Sequence, residues 1–336
     1  MRNTSLSCER DSAWGRATGT APGRAANRPA LRTVARIIAA SAALAVTAAL
    51  AGCAPAASDR PLVVVTTNIL GDVVQNVVGD EAEVMVLMQP NSDPHSFEIS
   101  AQEAARIQDA DLLVSNGLGL EEGLQKHIDS ATDAGVATLA AGDVIEVLDY
   151  ASGDSEGAAD PHFWTDPART LDVVDAVAAS VTENVDGVDS ASITDNAAAY
   201  RDQLEELDAE MAAAFAQIPA EQRNLVTNHH VFGYLAERFD FTVIGAVIPS
   251  GTTLAAPSAS DLRDLVEAIE QAVVPTIFAE SSQPDRLVQV LAEEAGVDVA
   301  VVELFTESLS EDGEGADDYL TMMRTNTGRI ATGLSP

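Results

Sequence analysis

Lysine is almost missing from this 336-residue chain: Lys126 stands alone among 18 basic residues, against 53 acidic ones. No G-K-S/T phosphate cradle surrounds it, so the chain is not expected to carry a nucleotide-driven motor of its own. Cysteine is as scarce, with only Cys8 and Cys53, and aromatics make up 4%. H-E-x-x-H, the helical zinc-protease signature, does not occur. The formal net charge of −35 disfavours nucleic acid and anionic membrane as partners and favours cations.

What basic charge there is gathers at the start. The segment before Cys53 holds seven arginines but only Glu9 and Asp11, which leaves 11 basic and 51 acidic residues beyond it, a net charge near −40. Arginines at 24, 28, 32 and 36 precede the apolar run Ile37–Gly52. That run falls short of the roughly 20 residues a membrane-spanning helix needs and reads as a signal-peptide core. Leu50-Ala51-Gly52-Cys53 resembles a bacterial lipobox, so residues 1–52 are expected to be removed. Cys53 then becomes a lipidated first residue, and 53–60 a tether to the extracytoplasmic face of the cell membrane. Mature protein would hold one cysteine and no disulfide.

From residue 61 short β-branched runs alternate with helical stretches. Strands are expected at 61–68, 82–88, 111–116, 224–228, 241–247, 275–280 and 297–304. Helices are expected at 69–78, from the capping box Ser100/Glu103 to Gln108, from Asp166-Pro167 to about Val181, and at 232–239, 259–272, 284–295 and 319–334. Tyr200, Leu204, Leu207, Met211 and Phe215 form one stripe on a long helix over about 191–217. The alternation predicts an α/β fold of two parallel-sheet lobes, 61–190 and 219–336, joined by a backbone helix at 191–218. Ligands of such sheets collect at the carboxyl ends of the strands.

Four of the five histidines sit at element ends. Asp-Pro-His occurs twice, ending at His95 and His162, and His229-His230 follow a strand directly. Proline fixes φ, while the aspartate can close a turn or accept a hydrogen bond from an imidazole. Three histidines and a carboxylate satisfy a tetrahedral transition metal. His127, on a helix, reads as a surface residue.

N-S-D-P-H-S-F-E, D-P-H-F-W-T-D-P, H-H-V-F-G-Y-L, F-A-E-S-S and Y-L-T-M-M-R-T-N, in one order over nearly all of 61–336, resemble the solute-binding proteins of bacterial zinc and manganese ABC importers, the metal-binding cluster A-I family. The resemblance implies two α/β lobes around one metal ion held in the cleft by two ligands from each lobe. It assigns His95, His162, His229 and Glu307 as ligands. His230 stands where the family more often has aspartate, and Glu307 where it commonly has the shorter aspartate; Glu303 is the less favoured substitute for Glu307. Three imidazoles and one carboxylate favour Zn²⁺, with Mn²⁺ the alternative. The implied function is capture of a divalent cation and its delivery to a membrane permease powered by a separate ATPase, by a monomer that is not an enzyme. A manganese-specific carrier and a surface adhesin are the alternatives, and a zinc hydrolase is the least favoured.

Overall fold

Both faces of the first strand are dry. In β1 (Leu62–Val65) all four residues are buried; Val63 and Val65 join one apolar cluster and Leu62 and Val64 another. That period-two division is the signature of a parallel strand covered on both sides. The computed structural model describes residues 60–282, 286, 288–289 and 299–335.

β1 pairs in parallel with β2 (Glu83–Val86) and β3 (Leu112–Ser115), and β3 with β4 (Ala137–Ala140), in the order β2-β1-β3-β4. The helices of this half are α1 (Asn68–Val78), α2 (Ala101–Gln108), α3 (Gln125–Ala134) and α4 (Pro167–Asn184). After α5 (Ser190–Phe215) the pattern repeats with β5 (Asn224–Thr227), α6 (Gly233–Phe239), β6 (Thr242–Ala246), α7 (Ala259–Ala272), β7 (Thr276–Glu280), β8 (Ala300–Leu304) and α8 (Tyr319–Leu334). The second sheet is also parallel, ordered β6-β5-β7-β8. Two parallel four-stranded sheets flanked by helices are the α/β architecture the alternation implies.

α5 is about 39 Å long at 1.5 Å per residue. Its stripe of Tyr200, Leu204, Leu207, Met211 and Phe215 is buried and packs against α1, α4 and α8. One apolar cluster runs from Val63 and Val114 through this stripe to Leu225, Phe278 and Leu304, so the inner faces of both sheets share a core. The described residues, from Arg60 onward, form one compact unit. No helix among the described residues is long and apolar enough to cross a membrane.

Caps fall where the sequence marks them. Ser100 Oγ accepts from Glu103 N (3.2 Å) while Glu103 Oε2 accepts from Ser100 N (2.7 Å). Asp166 Oδ1 accepts from Ala168 N (2.9 Å) with Pro167 opening α4, which runs past Val181 to Asn184. Strand ends differ. The first strand stops at Val65 because Thr67 turns out of the sheet to cap α1 at Leu70 N. β4, A-T-L-A, has a single β-branched residue and no periodic signal, and only its ladder to β3 makes it a strand. The helix expected at 284–295 lies outside the described residues except at 286, 288 and 289.

Val273 ends α7 in the left-handed region (φ 53°, ψ 47°) and is 82% exposed. A β-branched residue is strained there and packs against little in return. Val273→Gly should therefore stabilise the fold by about 1 kcal/mol, read as a higher urea midpoint at unchanged m-value.

Candidate metal site

Asp93 and Asp160 shape the two Asp-Pro-His turns alike. Asp93 Oδ1 accepts from His95 N at 2.9 Å, and Asp160 Oδ1 from His162 N at 2.9 Å. Each carboxylate closes a turn over its proline and so directs the following imidazole. The turns then diverge. Asp160 Oδ1 also takes the ring proton of His162, 2.7 Å from Nδ1, whereas His95 Nδ1 is buried with no hydrogen-bond partner. His162 leads into a short 3₁₀ turn, Phe163–Thr165, and then into α4.

The second half supplies two more groups at strand ends. His229 lies two residues beyond β5 and Glu307 three beyond β8. The segment around Glu307 is pinned from several sides. Trp164 Nε1 donates to Thr306 O (2.8 Å), Asn68 Nδ2 to Ser308 Oγ (2.8 Å), and Leu309 N to Asn68 Oδ1 (3.0 Å). Asn326 brackets Phe305, accepting from its N (2.9 Å) and donating to its O (2.6 Å).

These four side chains meet. Glu307 Oε1 lies 3.0 Å from His95 Nε2, 3.1 Å from His162 Nε2 and 3.2 Å from His229 Nε2. One donor atom from each of His95, His162, His229 and Glu307 lies within 4.8 Å of every other, and all four residues are buried. His230 is not among them: its ring lines a cavity beside the site. Glu303 is exposed on β8, 3.8 Å from Arg329, and His127 is half-buried on α3. Cys53 lies outside the described residues.

A residue without an assigned role in the sequence reading also belongs here. Glu280, the last residue of β7 and 3% exposed, places Oε2 3.1 Å from His229 Nδ1, without the alignment of a hydrogen bond. Ser282 Oγ donates to its other oxygen at 2.7 Å. F-A-E-S-S at the carboxyl end of a strand was the available signal, since that is where such sheets place ligands.

The electrostatics follow from burial and charge count. Three carboxylates, Asp160, Glu280 and Glu307, surround three imidazoles away from water, so neutral imidazoles would leave a buried charge of −3. Burial alone would lower the pKa of His162, but Asp160 and then Glu307 outweigh it and raise it. His229 is likewise pushed down by burial yet held well above the usual histidine value by Glu307 and Glu280. Burial raises Glu307, and the three imidazoles, His229 foremost, pull it well below the usual carboxylate range. Glu280 rises to about 7 through burial and the charge of Glu307. His230, in contrast, is lowered by burial and by His229. The pocket needs positive charge at its centre, which bound protons or a cation can supply.

Residues 63–333 match the family described as zinc-uptake complex component A, periplasmic. The iron-binding protein YfeA of Yersinia pestis is 30% identical over 295 residues, covering 88% of this chain and 93% of the relative. The manganese ABC transporter substrate-binding lipoprotein PsaA of Streptococcus pneumoniae is 29% identical over 289 residues, covering 83% and 90%. Among solved structures, the periplasmic zinc binding protein TroA from Treponema pallidum matches with a TM-score of 0.76 at 30% identity, over 82% of this chain and 100% of that one. With a family match spanning both sheets and all four converging side chains, the chain belongs to the zinc-uptake complex component A family.

Proposed function

We propose that this chain captures one divalent transition-metal ion at His95, His162, His229 and Glu307 and hands it to an ABC permease whose ATPase is a separate protein. The observation that carries this reading is the convergence of three imidazole nitrogens on one carboxylate oxygen, all buried, in a pocket whose own charge is negative. Metal–ligand bonds of about 2.0–2.2 Å imply tetrahedral edges near 3.3–3.6 Å. Nitrogen–oxygen separations of 3.0–3.2 Å therefore suit a small four-coordinate ion after slight expansion.

Three imidazoles and one carboxylate favour Zn²⁺. Mn²⁺ is the second reading, favoured by Glu307 Oε2, which is buried with no hydrogen-bond partner and would give a larger ion a second oxygen. Four protein ligands complete a tetrahedron and leave no position for an activated water, so we read the protein as a carrier and not as a hydrolase. We further read 61–190 and 219–336 as two lobes linked by 191–218, and the mature protein as a monomer anchored through Cys53 on the extracytoplasmic face of the membrane.

Chelator-stripped protein should take up one equivalent of Zn²⁺ and melt higher on doing so; free ion at a thousandfold over Kd adds about 4 kcal/mol. His162→Ala or Glu307→Ala should abolish that rise. Stripped wild-type protein that shows no zinc-dependent rise would sink the reading, and the metal content of protein from its native host decides between Zn²⁺ and Mn²⁺.

The pH dependence has a definite sign. His162, His229 and Glu280 have raised pKa values in the metal-free fold. Their stabilising contribution is present below their unfolded values and is lost as pH rises through the folded ones. Metal-free protein should lose melting temperature from pH 6 to pH 8 through these groups. The increment that zinc adds should grow over the same interval, because the protons it displaces bind less tightly. Calorimetry of both forms at several pH values checks this.

Glu280→Ala should weaken Zn²⁺ binding by roughly 10–100-fold, as loss of a carboxylate behind a ligating imidazole does elsewhere, while Glu280→Gln retains part of the affinity. Titration against a competing chelator measures both.

A further inference from the structure

A cavity of about 420 Å³ lies beside the four-donor site, between the 148–152 segment and α6. Its lining grades inward. Asp149 and Glu237 stand exposed at the rim, with Glu237 paired to Arg169 at 2.9 Å. The back wall is Asp160, 2% exposed, and Tyr150, 8% exposed. His230 lines it too, its ring centroid 6.3 Å from that of Tyr150. Among the described residues its imidazole enters no hydrogen bond or ion pair, so a lone pair is free to bind.

Both wall residues touch the metal site directly. Asp160 binds His162 N and Nδ1 through Oδ1 alone. Tyr150 Oη lies 3.3 Å from His162 Nδ1 and donates to Gly251 O at 3.2 Å, since that nitrogen's proton goes to Asp160. The wall between cavity and site is thus Asp160 and Tyr150 backed by the ring of His162, whose Nδ1 faces the wall and whose Nε2 faces Glu307. Three glycines keep it clear: a Cβ at Gly153 would stand 2.8 Å from His230 Nε2, one at Gly233 2.5 Å from Asp160 Oδ2, and one at Gly251 against the Tyr150 hydroxyl.

We propose that this cavity is the cation's entry subsite, in which His230 and Asp160 Oδ2 hold the ion on its way between solvent and the buried donors. The proposal rests on the metal-carrier reading and adds a route to it. At the rim Asp149, exposed and without the arginine that pairs Glu237, raises the local cation concentration. A neutral imidazole then takes one position in the ion's shell as water leaves, and movement of Tyr150 and Asp160 together with the His162 ring opens the way to that residue's Nε2 and the buried donors. A group that holds the ion only in passing lowers the barrier in both directions, and so changes rates without changing the equilibrium.

Stopped-flow measurement of Zn²⁺ association, with dissociation into excess chelator, tests this on the full folded chain. Trp164, whose ring lies 5.3 Å from His162, supplies the signal. His230→Ala and His230→Gln should slow association and dissociation by a common factor of about ten, the effect of raising one shared barrier by about 1.4 kcal/mol. Gly153→Ala, which keeps the imidazole but crowds it, should slow both in the same sense. Unchanged rates in the His230 variants overturn the proposal, as does a weaker Kd arising from faster dissociation alone, which would make His230 a ligand of the bound ion. Wild-type protein that binds no Zn²⁺ would instead overturn the carrier reading, and the entry subsite with it.

Discussion

One oxygen atom, Glu307 Oε1, faces three imidazole nitrogens at 3.0, 3.1 and 3.2 Å with no water around them. Such an arrangement is untenable for neutral imidazoles with their lone pairs turned inward, because four electron-rich atoms would share one small dry space. Protons on those nitrogens or a cation have to stand among them, and much of the surrounding structure serves to keep them there. Glu307 is fixed by contacts to its neighbours 305, 306, 308 and 309, drawn from Asn326, Trp164 and Asn68. The price of assembling this cluster is met by the buried core beneath it, which the two sheets hold in common.

The three imidazoles are supported unequally. His162 gives its second ring proton to Asp160 in a short hydrogen bond, and His229 has Glu280 beside the corresponding nitrogen. His95 has no such partner, and its Nδ1 is buried without a hydrogen bond. Its turn is instead tethered from outside: Asp93 Oδ2 accepts from Thr253 Oγ1 at 2.6 Å, a bond to the segment that follows β6. A carboxylate behind an imidazole fixes its tautomer and strengthens it as a donor. The site therefore has one nitrogen fixed by a hydrogen bond, at His162, one with a carboxylate close beside its ring, at His229, and one, at His95, whose orientation depends on a loop contact.

Much of this was legible in the sequence where the physics is local. Asp-Pro before histidine announces a turn whatever surrounds it, and the stripe on α5 follows from helical period alone. The capping box at Ser100 and the proline opening α4 are likewise short-range. What escaped was set at a distance. β4 has no signal of its own and owes its state to β3. Glu307 lies 212 residues from the His95 it meets, and nothing in L-F-T-E-S-L marks it; only the family resemblance did. Glu280 was visible as a strand-end acid, but its role required knowing that β7 ends beside the loop after β5. The bond from Trp164 to Thr306 links a turn and a loop with no shared pattern.

The apolar cluster that runs unbroken from β1 and β3 through the α5 stripe to β5, β7 and β8 bears on how cargo leaves. A protein whose halves had separate cores joined by a flexible strand could part like a hinged shell at little cost. Here such parting would tear open the interior along its length and forfeit apolar burial on the scale of the whole fold's stability. What lies outside that core is the turn bearing His95, held to the segment after β6 by the Asp93–Thr253 bond, whereas Phe305 and Leu309 tie the Glu307 loop into the core itself. An opening confined to that turn would leave the shared core untouched, which parting of the two halves would not.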